Sequence, residues 1–151
     1  MTGKAGLKAG LIGTAVMLIW TVIGRFLPLS GVWVYVSSAV SFLMYAGVGV
    51  LAGILLRPPR APGKGAGAGA IAGLISGLIS GGVGIAILLL QLSGGGSVPG
   101  MSAQQLEQFQ QVSESGIPLA VLLAPSAICI MGIGSGLAAI GGAILAAVKP
   151  D

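Results

Sequence analysis

Apolar residues in this chain come in long runs, with none of the alternation or one-face periodicity of a water-soluble fold. Four runs, residues 7–27, 32–56, 65–93 and 117–148, reach the roughly 20 residues that a helix needs to cross about 30 Å of hydrocarbon. Lipid offers no hydrogen bond to an unpaired peptide group, so each run is predicted to be a helix. The polar breaks are short, which makes residues 1–151 a single transmembrane domain. The predicted fold class is an all-α integral membrane protein, a four-transmembrane-helix bundle.

Each break has its own chemistry. Pro28 and Gly31 turn the first span into the second. Residues 57–64, Arg-Pro-Pro-Arg-Ala-Pro-Gly-Lys, form a basic proline-rich linker that resists helix and holds three cations beside the membrane. Residues 94–116 form a loop on the opposite side. Within that loop Ser102 and Gln105 fit a capping box, Met101 and Leu106 a hydrophobic staple, and Gly116 with Pro118 a stop. Leu106, Phe109 and Val112 share one face, predicting a short amphipathic surface helix between the third and fourth spans. The fourth run is longer than a crossing requires, so tilt or a kink at Pro125 is expected.

Inside the spans the pattern is one of size. Gly65, Gly69, Gly73, Gly77 and Gly81 recur at every fourth position, a ridge without side chains along the third helix. Ala68, Ala72, Ser76 and Ser80 form a second small row beside it, and Ile71, Ile75 and Ile79 are expected on a far face turned to lipid. Such ridges let helix backbones approach, with a right-handed crossing of about −40° favoured. Comparable pairs occur elsewhere: Gly49 and Gly53 in the second span, Gly132 and Gly136 in the fourth, and a row through Ala138, Gly142 and Ala146. Gly6, Gly10 and Thr14, with Ala5, Ala9 and Gly13 beside them, mark the packing face of the first span. The fourth span is the expected partner of the third. Ser76 and Ser80 are expected to hydrogen-bond across helices, and the hydroxyl of Tyr45, near mid-membrane, to do the same.

Charge fixes the orientation. With 7% charged residues and 55% hydrophobic ones, the chain has few charges to place. In a four-span arrangement Lys4, Lys8, Arg57, Arg60, Lys64 and Lys149 fall on one side, and Glu107 and Glu114 on the other. The positive-inside rule then puts both termini in the cytoplasm, and the brevity of the chain points to a bacterial cytoplasmic membrane. Arg25 dissents; it is the one cation that could contact a partner or an anion, against snorkelling toward an outer glutamate. Gly3-Lys4 before the first span matches Gly63-Lys64 before the third, and Arg57-Pro58 matches Lys149-Pro150, a weak repeat that predicts two parallel helical hairpins.

Much chemistry is excluded. The chain has no histidine and one cysteine, Cys129, so no catalytic, metal or cofactor residue is assigned. The glycine ridge resembles the glycine-rich helices of proton-translocating rings, and four spans resemble small multidrug exporters. Both families need an intramembrane carboxylate, and no span here carries one. Serines without a base and a glycine-lysine segment without phosphate-loop spacing support neither an enzyme nor nucleotide or nucleic-acid binding. Two readings follow. One is a non-enzymatic protein that acts by helix association, as an accessory subunit of a larger membrane complex or as a homo-oligomer, its partners being lipids, other membrane subunits or itself. The alternative is a small channel or carrier with a Gly/Ser-lined pathway for an uncharged or anionic solute.

Overall fold

The computed structural model describes residues 2–24, 32–93, 104, 107, 108, 111 and 119–150. All regular structure among them is helical: α1 Thr2–Gly24, α2 Val32–Ile54, α3 Pro62–Ser93 and α4 Leu119–Val148. Each is long and apolar enough to cross a membrane, which points to an integral membrane protein. The first helix begins before its apolar run does, taking in Lys4 and Lys8. Arg25, Leu106, Phe109 and Val112 lie outside the described residues; of the predicted surface helix Gln104, Glu107, Gln108 and Gln111 are described, and all four are helical.

The glycines do not break these helices because a peptide group left unbonded in hydrocarbon costs several kcal/mol, against about 1 kcal/mol for glycine's poor helix propensity. Prolines set the boundaries instead. Pro62 opens α3 at a position where its missing N–H is not needed, and the first bond of the helix runs from Gly65 N–H to the Ala61 carbonyl at 3.0 Å. At the end of α2 the Leu56 N–H reaches back to the Gly53 carbonyl at 3.3 Å, and Pro58 and Pro59 prevent a further turn. The fourth helix runs through Pro125.

The packing register follows from the glycines. Gly6 and Gly10 of α1 lie against Ala68 and Ala72 of α3, both numbers rising together, so these helices are parallel. Gly65, Gly69 and Gly73 of α3 meet Gly142, Ala138 and Ser135 of α4 in falling order, so that pair is antiparallel. Gly49 and Gly53 meet Ala138 and Gly142, making α2 and α4 parallel. Hairpin α1–α2 therefore lies beside hairpin α3–α4, like helix on like helix. Helices α2 and α3 also touch each other, whereas α1 and α4 occupy opposite outer positions.

One expected face is corrected. Ile71 and Ile75 do not turn to lipid; their Cβ atoms lie 3.0 Å from where a Cβ would stand on Gly6 and Gly10. Helix α3 has neighbours on two sides, so the isoleucines fill the grooves that the α1 glycines leave. Its outward residues include Ile79, as expected, together with Leu74, Leu78, Leu89 and Leu90.

Candidate functional site

The site predicted from sequence is a close-approach surface, and the structure resolves it into a cradle. Helix α4 lies in a slot whose walls are Gly49 and Gly53 of α2 and Gly65 and Gly69 of α3. At its centre is Ala138, fully buried, whose carbonyl occupies the space a side chain would need on either Gly49 or Gly69. One turn further, Gly142 and Gly65 each place a carbonyl where the other's Cβ would be, and the Gly53 position is closed by Leu145 Cδ2 at 2.9 Å. Cα hydrogens of glycine facing carbonyl oxygens make weak hydrogen bonds, about 0.5–1 kcal/mol each, available only where no side chain holds the backbones apart.

The ridge of α3 is used unevenly. Gly73 stays in tight contact, with Ser135 Cα 2.8 Å from a notional Cβ, while at Gly77 the nearest atom, Met131 Cγ, is already at 3.6 Å. At Gly81 nothing lies within 4 Å. Gly132 and Gly136 of α4 are likewise open, on an exposed face shared with Ile133 and Ile140. The α4 surface turned inward runs instead through Gly134, Ala138, Gly141 and Gly142. Tyr45 covers Gly134, its ring edge 2.7 Å from a notional Cβ there, and its hydroxyl is 3.8 Å from that of Gly77. Gly134 and Gly141 were legible only as members of a helix full of small residues; Tyr45, the one large polar side chain at that depth, was the signal that a small partner should face it.

Ser76 is the polar centre of the second face of α3. It is 0% exposed, and its hydroxyl is shared between the Gly10 carbonyl of α1 at 3.1 Å and the Ala72 carbonyl of its own helix at 2.8 Å. Thr14 donates to the same Gly10 carbonyl at 2.8 Å. Ser76 thus ties α3 to α1 at a carbonyl that also accepts from Thr14 of α1 itself, and no buried side-chain polar atom among the described residues lacks a partner. Ser80 donates to the Ser76 carbonyl at 2.5 Å, with Met17 Sδ of α1 at 4.0 Å.

Arg60 holds the linker end of the bundle. Its Nε donates to the Leu56 carbonyl at 3.1 Å, and its terminal nitrogens lie 3.4 Å from the carbonyls of Ile54 and Lys149. The Arg60 N–H donates to the Pro150 carbonyl at 2.8 Å. One cation thus serves two helix C-termini, where unpaired carbonyls carry partial negative charge. Among the described residues no group of acidic, cysteine or histidine side chains could hold a metal ion. No family model, curated protein or solved structure matches this chain.

Proposed function

We propose that this is a non-enzymatic membrane protein that works by helix association, as a small subunit of a larger membrane assembly or of a homo-oligomer. Its basic end faces the cytoplasm of a bacterial cell, with both termini there, and its two parallel hairpins are the products of an internal repeat. One observation carries the association reading over a solute pathway: the basic half of the bundle is closed by backbone contact. Ala9, Ala52, Ala68, Ala72, Ala138 and Ala146 are each 0% exposed, and a path along the axis would have to part helices whose backbones meet at Gly49, Gly65, Gly69 and Gly142. The open glycines of α4, Gly132 and Gly136, offer a further close-approach surface that the protomer itself does not use.

The test is purification from the native membrane in mild detergent, followed by native mass measurement and reconstitution into liposomes. A particle well above the 14.7 kDa protomer, with no more flux than empty liposomes, is expected. Gly136→Leu should release the protomer from it without unfolding. A lone protomer that passes a small neutral or anionic solute would establish the channel reading instead.

A further inference from the structure

We infer that the basic end carries a binding site for the phosphodiester headgroup of an anionic phospholipid, in the cleft between the start of α1 and the end of α2. The cleft holds about 530 Å³ and is lined by Gly3, Lys4, Ala5, Lys8, Leu55 and Arg57. That volume lies within the range of about 300–1,000 Å³ usual for small-ligand clefts.

Three features specify the occupant. The first is charge. Lys4 and Lys8 are one turn apart on the same face of α1, a like-charge spacing that destabilises a helix unless an anion sits between the two. Arg57 closes the other side, and no acidic residue occurs between Thr2 and Lys64. Second, the two linker arginines divide the work. Arg60 is committed to helix carbonyls, whereas Arg57 makes no hydrogen bond or ion pair with another described residue, and its planar fork suits a phosphate. An adjoining cleft of about 380 Å³ shares Arg57 and adds Lys64. The third is amphipathy. Leu11, 53% exposed, continues the Lys4–Lys8 face one turn deeper, and Leu55 forms the apolar wall. Cations above and exposed leucines below match a headgroup with its acyl chain, which free phosphate does not require. Basic pockets between transmembrane helices are a recognised site for anionic headgroups.

The experiment uses the full-length protein in neutral detergent, titrated with phosphatidylglycerol or phosphatidylcholine and read by native mass spectrometry and by thermal unfolding. Phosphatidylglycerol should be retained in preference and raise the unfolding temperature. Arg57→Gln and, separately, Lys8→Gln should each weaken retention about fivefold, the effect of one interfacial cation. Lys149→Gln removes the same charge at the same end but outside the cleft, and should leave retention within about twofold. Equal losses in all three variants would mean diffuse attraction and would overturn the site. Inorganic phosphate or glycerol phosphate that stabilises the protein as well as the lipid, and displaces it, would assign the cleft to a soluble anion and overturn the lipid. Loss of the preference in the wild type would do the same.

Discussion

The two halves of the bundle, cut across the helix axes, are equally apolar and packed quite differently. In the basic half the inward positions are Gly6, Gly10, Ala52, Gly65, Ala68, Gly69, Ala72, Ala138 and Gly142, and the backbones touch. In the far half Gly24 of α1 and Gly81, Gly82 and Gly84 of α3 have nothing within 4 Å of where a Cβ would stand, so no neighbouring backbone meets them. Since both halves are hydrophobic, hydrophobicity does not distinguish them. Lipid tails are as apolar as leucine, so burying a large side chain against another helix gains little over leaving it in the bilayer. Close backbone approach gains what lipid cannot offer: dense dispersion contacts, Cα–H···O bonds and buried hydroxyl bonds such as that of Ser76. Small residues hold the helices together where a neighbouring backbone comes to meet them.

The largest expected effect tests this contrast directly. Gly69→Leu and Gly142→Leu place a side chain on a carbonyl of a neighbouring helix, which cannot move as a flexible side chain could. Each should destabilise by about 3 kcal/mol or more, as overpacking does at its upper end. Gly82→Leu, where a Cβ meets nothing within 4 Å, should cost little. Unfolding in mixed micelles measures both; equal tolerance would break the comparison.

A smaller effect is expected at the hydroxyls. Ser76→Ala removes a bond between helices and should cost about 0.6 kcal/mol, the mean for such bonds in a membrane, and at most about 1.7. Ser41→Ala in the far half removes only a bond to the Ser37 carbonyl of its own helix and should be close to neutral. A loss at Ser41 equal to that at Ser76 would show that the far half is held as firmly as the basic half. The smallest effect concerns the unused glycines. In the isolated protomer Gly81→Ala and Gly132→Ala should be neutral or stabilising by up to about 1 kcal/mol, reflecting helix propensity alone. Destabilisation there would reveal a neighbour to those positions.

The sequence carried a good part of this arrangement, because size patterns survive where polarity patterns do not. The four spans, the Gly6–Gly10–Thr14 face of α1, and the pairing of α3 with α4 were all legible from the spacing of small residues. The neighbours of α3 on its second side were not. A ridge shows that a partner can approach but says nothing of how many do, so Ile71 and Ile75 read as lipid-facing although they seat on α1 glycines. On α4 the difficulty was abundance. Gly132, Gly134, Gly136, Ala138, Gly141 and Gly142 allow several rows, and bulky markers are too few to show which row turns inward. The role of Arg60 was hidden for another reason: a cation beside a helix end reads as a topology signal, and its bond to the Pro150 carbonyl joins segments distant in sequence.

The shared position of Ala138, between Gly49 of α2 and Gly69 of α3, bears on the order of assembly. During synthesis α4 leaves the ribosome after α1, α2 and α3, so its slot stands unfilled while those helices are already in the bilayer. Neither hairpin contains both walls of that slot, and neither can complete its packing alone. Helix α4 acts as a keystone, and a chain cut within the linker should recover its structure only when both halves meet in one membrane.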